Sequence, residues 1–288
     1  MSKGSHMDLR KSLTLAAFAL AAAPACAADY ATTIAADNPI ANFQLTAPGT
    51  PSTVGGYSTT YTATTGTGPG APIAAYPGNT GATFTGNNGA PSEVSTGLSG
   101  LIPGKGSINL WVNLSTLPST LGQIFYLAGE SEVGNDFDMQ IQNDNRLYIY
   151  TGGGENTSYA LDTSTLVGQW HMLTATYDGT LGANSFRDLY VDGQEVADYV
   201  GGVNGASKSN PFTIGYSNVF GGRDTAGTID EVSVFDYGLS ASQVSAIFAS
   251  APIPASAGPV PEPASWAMMI GGFGMVGGVL RRRRVAFA

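Results

Sequence analysis

Gly168-Gln169-Trp170-His171-Met172-Leu173-Thr174-Ala175-Thr176-Tyr177-Asp178-Gly179 carries a clear strand pattern that ends in a turn. Leu173, Ala175 and Tyr177 alternate with Met172, Thr174 and Thr176. That two-residue period describes a strand with one buried face. The same period recurs on both sides. Ile108, Leu110 and Val112 alternate with Asn109, Trp111 and Asn113; Phe137, Met139 and Ile141 with Asp138, Gln140 and Gln142; Leu147 and Ile149 with Tyr148 and Tyr150. Asp192-Gly193 joins Leu189-Tyr190-Val191 to Glu195-Val196-Ala197 as a two-residue hairpin turn. Ile40 to Leu45 reads as a first strand and Phe212 with Ile214 as a late one. Ile229 to Phe235 carries apolar residues on both faces, as a central or corner strand does. One helix is expected, about Ala241 to Ser250, with Ser240 and Gln243 as a capping box and Val244, Ile247 and Phe248 inward.

Composition agrees with an all-β extracellular domain. Gly, Ser, Thr, Asn and aromatic residues are abundant, and Lys and Glu are scarce. Residues 46–83 are rich in Thr, Gly, Pro and Ala and are expected to form a long surface excursion or a loosely ordered segment. The formal net charge of −9 hides an asymmetry. Residues 28–259 hold five Lys and Arg against 19 Asp and Glu, a net −14. Such a surface disfavours nucleic acid and anionic lipid as partners.

The body resembles the laminin-G-like, concanavalin A-like lectin/glucanase superfamily. Five phrases in order carry the resemblance. They are Gly106-Ser107-Ile108-Asn109-Leu110-Trp111-Val112, the Trp170-to-Gly179 strand and turn, Leu189-Tyr190-Val191-Asp192-Gly193, Pro211-Phe212-Thr213-Ile214-Gly215, and Gly227-Thr228-Ile229-Asp230-Glu231-Val232-Ser233-Val234-Phe235 with its short following helix. The resemblance runs from about 84 to 250 and implies a two-sheet antiparallel jelly-roll sandwich, here assigned to residues 28–250.

The two ends concern export. Arg10 and Lys11 precede the apolar run Leu13 to Ala23, then Ala25-Cys26-Ala27 and Ala28. This is the charged, apolar, small-residue order of a secretory signal peptide over residues 1–27, with cleavage before Ala28. Residues 1–6 read as a start extension, and the leader as an N-terminal signal helix. Cys26 is the only cysteine and lies in that leader, so the mature fold is expected to rest on its core without disulfides. A Pro-rich tether at 251–260 leads to Pro261-Glu262-Pro263, Trp266, the uncharged 17-residue stretch 264–280, and Arg281, Arg282, Arg283 and Arg284. Proline keeps the first part extended, and the apolar run is at the lower limit for a transmembrane helix. The arginines are expected to stay on the cytoplasmic side. This order, over 261–288, resembles the PEP-CTERM sorting signal of Gram-negative bacteria. The resemblance implies recognition and cleavage by an exosortase, after delivery by the secretion machinery, and residence at the cell surface or in the extracellular matrix.

Within the body, His171 reads as a strand histidine of the family signature, since no nucleophile motif accompanies it. Asp230 and Glu231 are adjacent, so regular alternation puts their side chains on opposite faces and denies them a joint catalytic role. Glu130, Glu132, Asp136 and Asp138 have closer spacing, but Gly134-Asn135 interrupts them as a turn. Asp136, Asp138, Asp178 and Asp224 are the candidate calcium ligands; calcium needs six to eight oxygens. Tyr148, Tyr150, Tyr159 and Tyr216 are candidates for stacking on sugar rings. The expectation is an exported, non-catalytic protein that binds extracellular polysaccharide. The rivals are a glucanase-like enzyme of the same fold and a structural or adhesive matrix protein with no small ligand.

Overall fold

The computed structural model describes residues 29–73, 76–101, 104–131, 137–152, 156–201 and 210–251. The leader with Ala25, Ala27 and Ala28, the tether, the sorting segment, Glu132 and Asp136 lie outside the described residues. Among the described residues, no helix is long and apolar enough to cross a membrane.

The elements run α1 (Tyr30–Ala36), β1 (Ala41–Phe43), β2 (Thr59–Tyr61), β3 (Gly66–Pro69), β4 (Thr80–Thr85), β5 (Val94–Ser99), β6 (Lys105–Leu114), α2 (Pro118–Leu121), β7 (Phe125–Glu130), β8 (Phe137–Ile141), β9 (Arg146–Thr151), β10 (Asn156–Ala160), β11 (His171–Asp178), β12 (Phe186–Val191), β13 (Gln194–Val200), β14 (Pro211–Ile214), β15 (Ala226–Phe235) and α3 (Ala241–Ser250). They form two antiparallel sheets in a jelly-roll sandwich. One has the order β13-β12-β11-β6-β15-β4-β3, with β1 also paired to β15; the other has the order β10-β9-β8-β7-β14-β5-β2.

The alternating apolar residues meet between the sheets. Ile108, Leu110, Met139, Ile149, Leu173 and Val234 are all fully buried there. A second apolar layer lies on the outer face of the first sheet. Trp111, Met172 and Phe235 point into it, and α1, α3 and the segment around Ala71 and Ile73 cover it. β6 is therefore buried on both faces over most of its length, where the sequence pattern predicts one buried face. β15 is buried on both faces as its composition predicts.

Several local expectations hold. α3 spans Ala241–Ser250 with both hydrogen bonds of the Ser240–Gln243 capping box present. Val244 and Ile247 are fully buried, and Phe248 stacks on Trp111 at 6.0 Å with a 21° interplanar angle. Asp192 and Gly193 take φ of 50° and 76°, the left-handed pair of a tight hairpin turn. A Cβ on Gly193 would lie 2.7 Å from Cβ of Phe248, so only glycine fits. Other expectations are amended. The 46–83 stretch contributes β2 to one sheet, and β3 and the start of β4 to the other, so three short pieces of it join the sheets. α1 is a seven-residue helix that follows directly on the leader and is capped by Asp29. It is too short to show a helical period in the sequence.

Candidate functional site

The outer face of the second sheet presents the candidate ligand surface. β9 keeps strict alternation: Leu147, Ile149 and Thr151 are buried, while Arg146, Tyr148 and Tyr150 are half-buried on the other face. The rings of Tyr148 and Tyr150 stack at 6.0 Å and 26°. Each is fixed by neighbours. Tyr148 donates its hydroxyl to Asp144 Oδ2 at 3.0 Å, and Gln142 Nε2 donates to the Tyr150 hydroxyl. Pairing to β8 sets Gln140 beside Tyr148 and Asp138 beside Tyr150. Asp138 is fully buried and accepts from Gln140 Nε2 at 2.7 Å and Ser131 Oγ at 3.2 Å. Arg223, from the connection between β14 and β15, donates to Gln140 Oε1 at 3.4 Å and lies 4.3 Å from the Phe220 ring centroid. Rigid aromatic faces beside amide, carboxylate and guanidinium groups can stack on a ring and hydrogen-bond its substituents.

The other candidate tyrosines are elsewhere. Tyr159 packs on the inter-sheet core at the β10 edge. Tyr216 lies in the β14–β15 connection, bridged to Asp224. Sequence periodicity can group Tyr148 with Tyr150, but Arg223 and Phe220 join them only through the fold.

Among the described residues, the calcium candidates Asp138, Asp178 and Asp224 do not converge. Asp138 is held as described. Asp178 accepts from the backbone and side chain of Thr180 in its own turn. Asp224 is buried, and Ser92 donates its backbone N–H to it at 3.4 Å. Among the described residues, no three His, Cys, Asp or Glu side chains gather as a metal site. Glu130 is buried and accepts from the backbone of Gly100 and Leu101.

His171 is held on both ring nitrogens, by Asp192 Oδ2 at 2.8 Å and by the carbonyl of Thr165 at 3.1 Å. Both partners accept, so the ring favours its doubly protonated form. The Asp192 hydrogen bond raises its pKa most, against burial, which lowers it. The pair pins the start of β11 to the β12–β13 turn, beside a cleft of about 210 Å³ lined by Tyr159, Leu161, Leu166 and Val196.

The acidic pair of β15 departs from the sequence reading. Asp230 pairs with Trp111 and Ser233 with Asn109, so Glu231 and Val232 stand together opposite Leu110. This is a β-bulge, and Glu231 occupies it at φ 50°. The bulge cancels the alternation: Val232 stays in the inter-sheet core, while Asp230 and Glu231 both lie under the outer layer. Asp230 Oδ2 accepts from the Ala71 N–H at 2.8 Å and from Asn79 Nδ2 at 2.5 Å. Glu231 lies near the hydroxyls of Tyr30 and Tyr76. Both acids are fully buried, and among the described residues neither Glu231 oxygen has a hydrogen-bond partner. Burial pushes Asp230 up to about 7, against the hydrogen bonds it accepts. Burial pushes Glu231 well above the usual carboxylate range, and the charge of Asp230 adds to this.

Raised carboxyls bind protons more readily in the folded chain than in the unfolded one. The contribution of Asp230 is therefore present in acid and lost as pH rises from about 4 through about 7, and that of Glu231 is lost as pH rises through its own raised folded value. His171 has the same sign: its stabilisation holds below its ordinary value and is lost as pH rises through its raised folded value. The thermal midpoint is thus expected to be higher at pH 5 than at pH 8. Glu231→Gln, which cannot ionise, is expected to raise the pH 8 midpoint by roughly 5 °C with little change at pH 5. A calorimetric pH series checks this; an equal or lower midpoint for the variant at pH 8 counts against a neutral buried Glu231.

Comparison with known proteins agrees with this architecture. A family model described as the concanavalin A-like lectin/glucanases superfamily matches residues 85–245, and a PEP-CTERM protein-sorting motif matches 259–284. No curated protein matches the chain. Solved structures with a similar fold include the receptor-binding domain of botulinum neurotoxin type G. It is 14% identical with a TM-score of 0.55, over 74% of this chain and 51% of that one, so the chain spans about half the length of that domain. The binding domain of Paraclostridial Mosquitocidal Protein 1 is 12% identical with a TM-score of 0.55, over 74% and 52%. Domain 4 of AbnA, a GH43 extracellular arabinanase from Geobacillus stearothermophilus, in complex with arabinotriose, is 17% identical with a TM-score of 0.56, over 73% and 97%. At these identities the likeness is one of fold. The C-terminal motif marks an exported, membrane-processed protein handled by an exosortase-type system. With its sandwich, its phrase order and a family match over more than half its length, the chain belongs to the concanavalin A-like lectin/glucanase superfamily.

Proposed function

We propose that the body is a non-catalytic polysaccharide-binding module, displayed at the cell surface or in the extracellular matrix after processing. The observation that carries this is the stacked Tyr148–Tyr150 pair, half-buried on the outer face of β9 and flanked by Gln140, Gln142 and Asp144. Stacked, hydrogen-bonded tyrosines lose little freedom when a sugar ring settles on them. The arabinanase domain of similar fold was solved with arabinotriose, which lends the reading support. The absence of catalysis is supported by the acids of β15. They share a side, as a glycosidase pair must, but both are fully buried beneath α1 and the 70–79 segment.

Tyr148→Ala and Tyr150→Ala are each expected to weaken binding to the recognised polysaccharide by about tenfold, with an unchanged circular-dichroism spectrum. Affinity electrophoresis through gels containing dissolved polysaccharides measures it. Parental mobility shifts for both variants on every polymer that retards the parent would remove the platform from the binding surface.

A further inference from the structure

The Tyr148–Tyr150 platform also suggests the class of polysaccharide. Cations are rare on this body: five Lys and Arg against 19 Asp and Glu over residues 28–259. Arg187 is buried, Lys208 lies outside the described residues, and Lys105 stands in register with Asp178. The remaining two, Arg146 and Arg223, bracket the tyrosine pair. Arg146 precedes Tyr148 and Tyr150 on the same face of β9. Its Nε and Nη2 donate to Ser158 Oγ at 3.2 and 3.1 Å, which orients the guanidinium without neutralising it. Arg223 approaches from the β14–β15 connection, oriented by Gln140 and the Phe220 ring. Among the described residues, neither guanidinium has a carboxylate within ion-pair distance.

The electrostatics agree with this placement of both arginines at the platform. Burial and the charge of Asp138 raise the Tyr150 hydroxyl, and Arg223 opposes them. Burial and Asp144 raise the Tyr148 hydroxyl, and Arg146 opposes them. The nearby carboxylates are already occupied. Asp144 takes the Tyr148 hydroxyl and the Arg146 backbone N–H, while Asp138 is buried beneath the surface. Two oriented, unpaired guanidinium groups beside stacked rings offer a neutral ligand hydrogen bonds alone, whereas an anionic ligand also gains charge pairing. They suit a ligand that brings its own anion, since the planar guanidinium fork matches a carboxylate.

We propose that the platform binds an acidic polysaccharide: a sugar ring rests on Tyr148 and Tyr150, and its carboxylate, as in a uronic acid, is received by Arg146 or Arg223. This rests on the reading of the tyrosine pair as a sugar platform and adds the charge of the ligand to it. The body's net −14 does not forbid it. At physiological salt, charges more than about 8 Å away are largely screened, while the arginines act in contact.

The test uses the full-length chain and three polymers: polygalacturonate, its fully methyl-esterified form, and dextran sulfate. The first two share a backbone and differ in the carboxylate charge. Binding is expected for polygalacturonate, about tenfold or more weaker for the ester, and weak for dextran sulfate. The paired change Arg146→Gln with Arg223→Gln is expected to lower polygalacturonate affinity about tenfold or more, to lower ester affinity much less, and so to abolish the preference for the acid. Lys105→Gln alters the net charge away from the platform and is expected to change neither. Equal parental affinity for acid and ester, or full retention of polygalacturonate by the double variant, overturns the acidic class while leaving the platform intact. Dextran sulfate bound as tightly as polygalacturonate, with both lost in the double variant, overturns the assignment to carboxylate. If Tyr148→Ala with Tyr150→Ala binds all three polymers as the parent does, the platform itself falls, and this inference with it.

Discussion

Alanine in place of Pro261, Glu262 and Pro263 is expected to leave the precursor inserted and uncut. The two halves of the sorting segment act through different physics. The uncharged stretch 264–280 has 17 residues; a helix of that length would measure about 25 Å against a hydrocarbon layer of about 30 Å, so it is expected to span only marginally. Arg281 to Arg284 are expected to hold its far end, because an arginine at the membrane centre costs at least about 2.5 kcal/mol. Neither feature changes in the alanine variant, so insertion persists. What changes is the Pro-Glu-Pro sequence before the apolar run, whose prolines disfavour helix and whose glutamate carries the charge. Loss of processing should be complete. Replacing the four arginines with glutamine should instead impair retention and orientation. Pulse-labelling in the native host, followed by size and fractionation of the body, separates the two outcomes. Parental maturation of the alanine variant would mean that Pro-Glu-Pro is not what the processing system recognises.

Trp111→Ala is expected to cost about 4 kcal/mol, or roughly 10 °C in thermal midpoint. Trp111 is the largest fully buried side chain and lies on β6, a central strand of the first sheet. Its ring fills the layer between that sheet and α3, stacked on Phe248 with Val244 and Ile247 nearby. The small α3 cannot collapse into the void without giving up its position over the Gly193 turn, where the backbone already touches Phe248. Trp111→Phe keeps an aromatic face against Phe248 and should lose much less. Urea unfolding at constant slope measures both. A loss below about 1 kcal/mol for the alanine variant would show that the outer layer contributes little to global stability. The chain's only cysteine precedes the body, so no disulfide in residues 28–251 offsets the loss.

Much of the fold was legible because its causes are local. Leu173, Ala175 and Tyr177 had to share a face whatever packed against them. Asp192-Gly193 had to turn, and Ser240 with Gln243 had to start a helix. β9 displayed Arg146, Tyr148 and Tyr150 in one row for the same reason, so half of the candidate surface could be read directly. The other half could not. Arg223 and Phe220 reach the tyrosines only because β14 and β15 lie in different sheets and their connection crosses the outer face of one of them.

The strand periods, the hairpin turn, the capped helix, the acidity of the body and the order of the export and sorting segments are all readable along the chain. Each depends on spacing along the chain, on composition or on the chemistry of a few neighbours. The tertiary structure alone decided where alternation fails. Glu231 shares a side with Asp230 because β15 must carry two residues past Leu110 of β6, and that mismatch belongs to the pairing of two distant strands. It alone decided that Trp111 is buried on what the pattern read as an outer face, because α1 and α3 come from opposite ends of the body to cover it. It also separated Asp138, Asp178 and Asp224, whose carboxylates serve three separate hydrogen-bond sets. Periodicity describes which side of a strand a residue takes; what lies on that side is set by contacts between residues far apart in the chain.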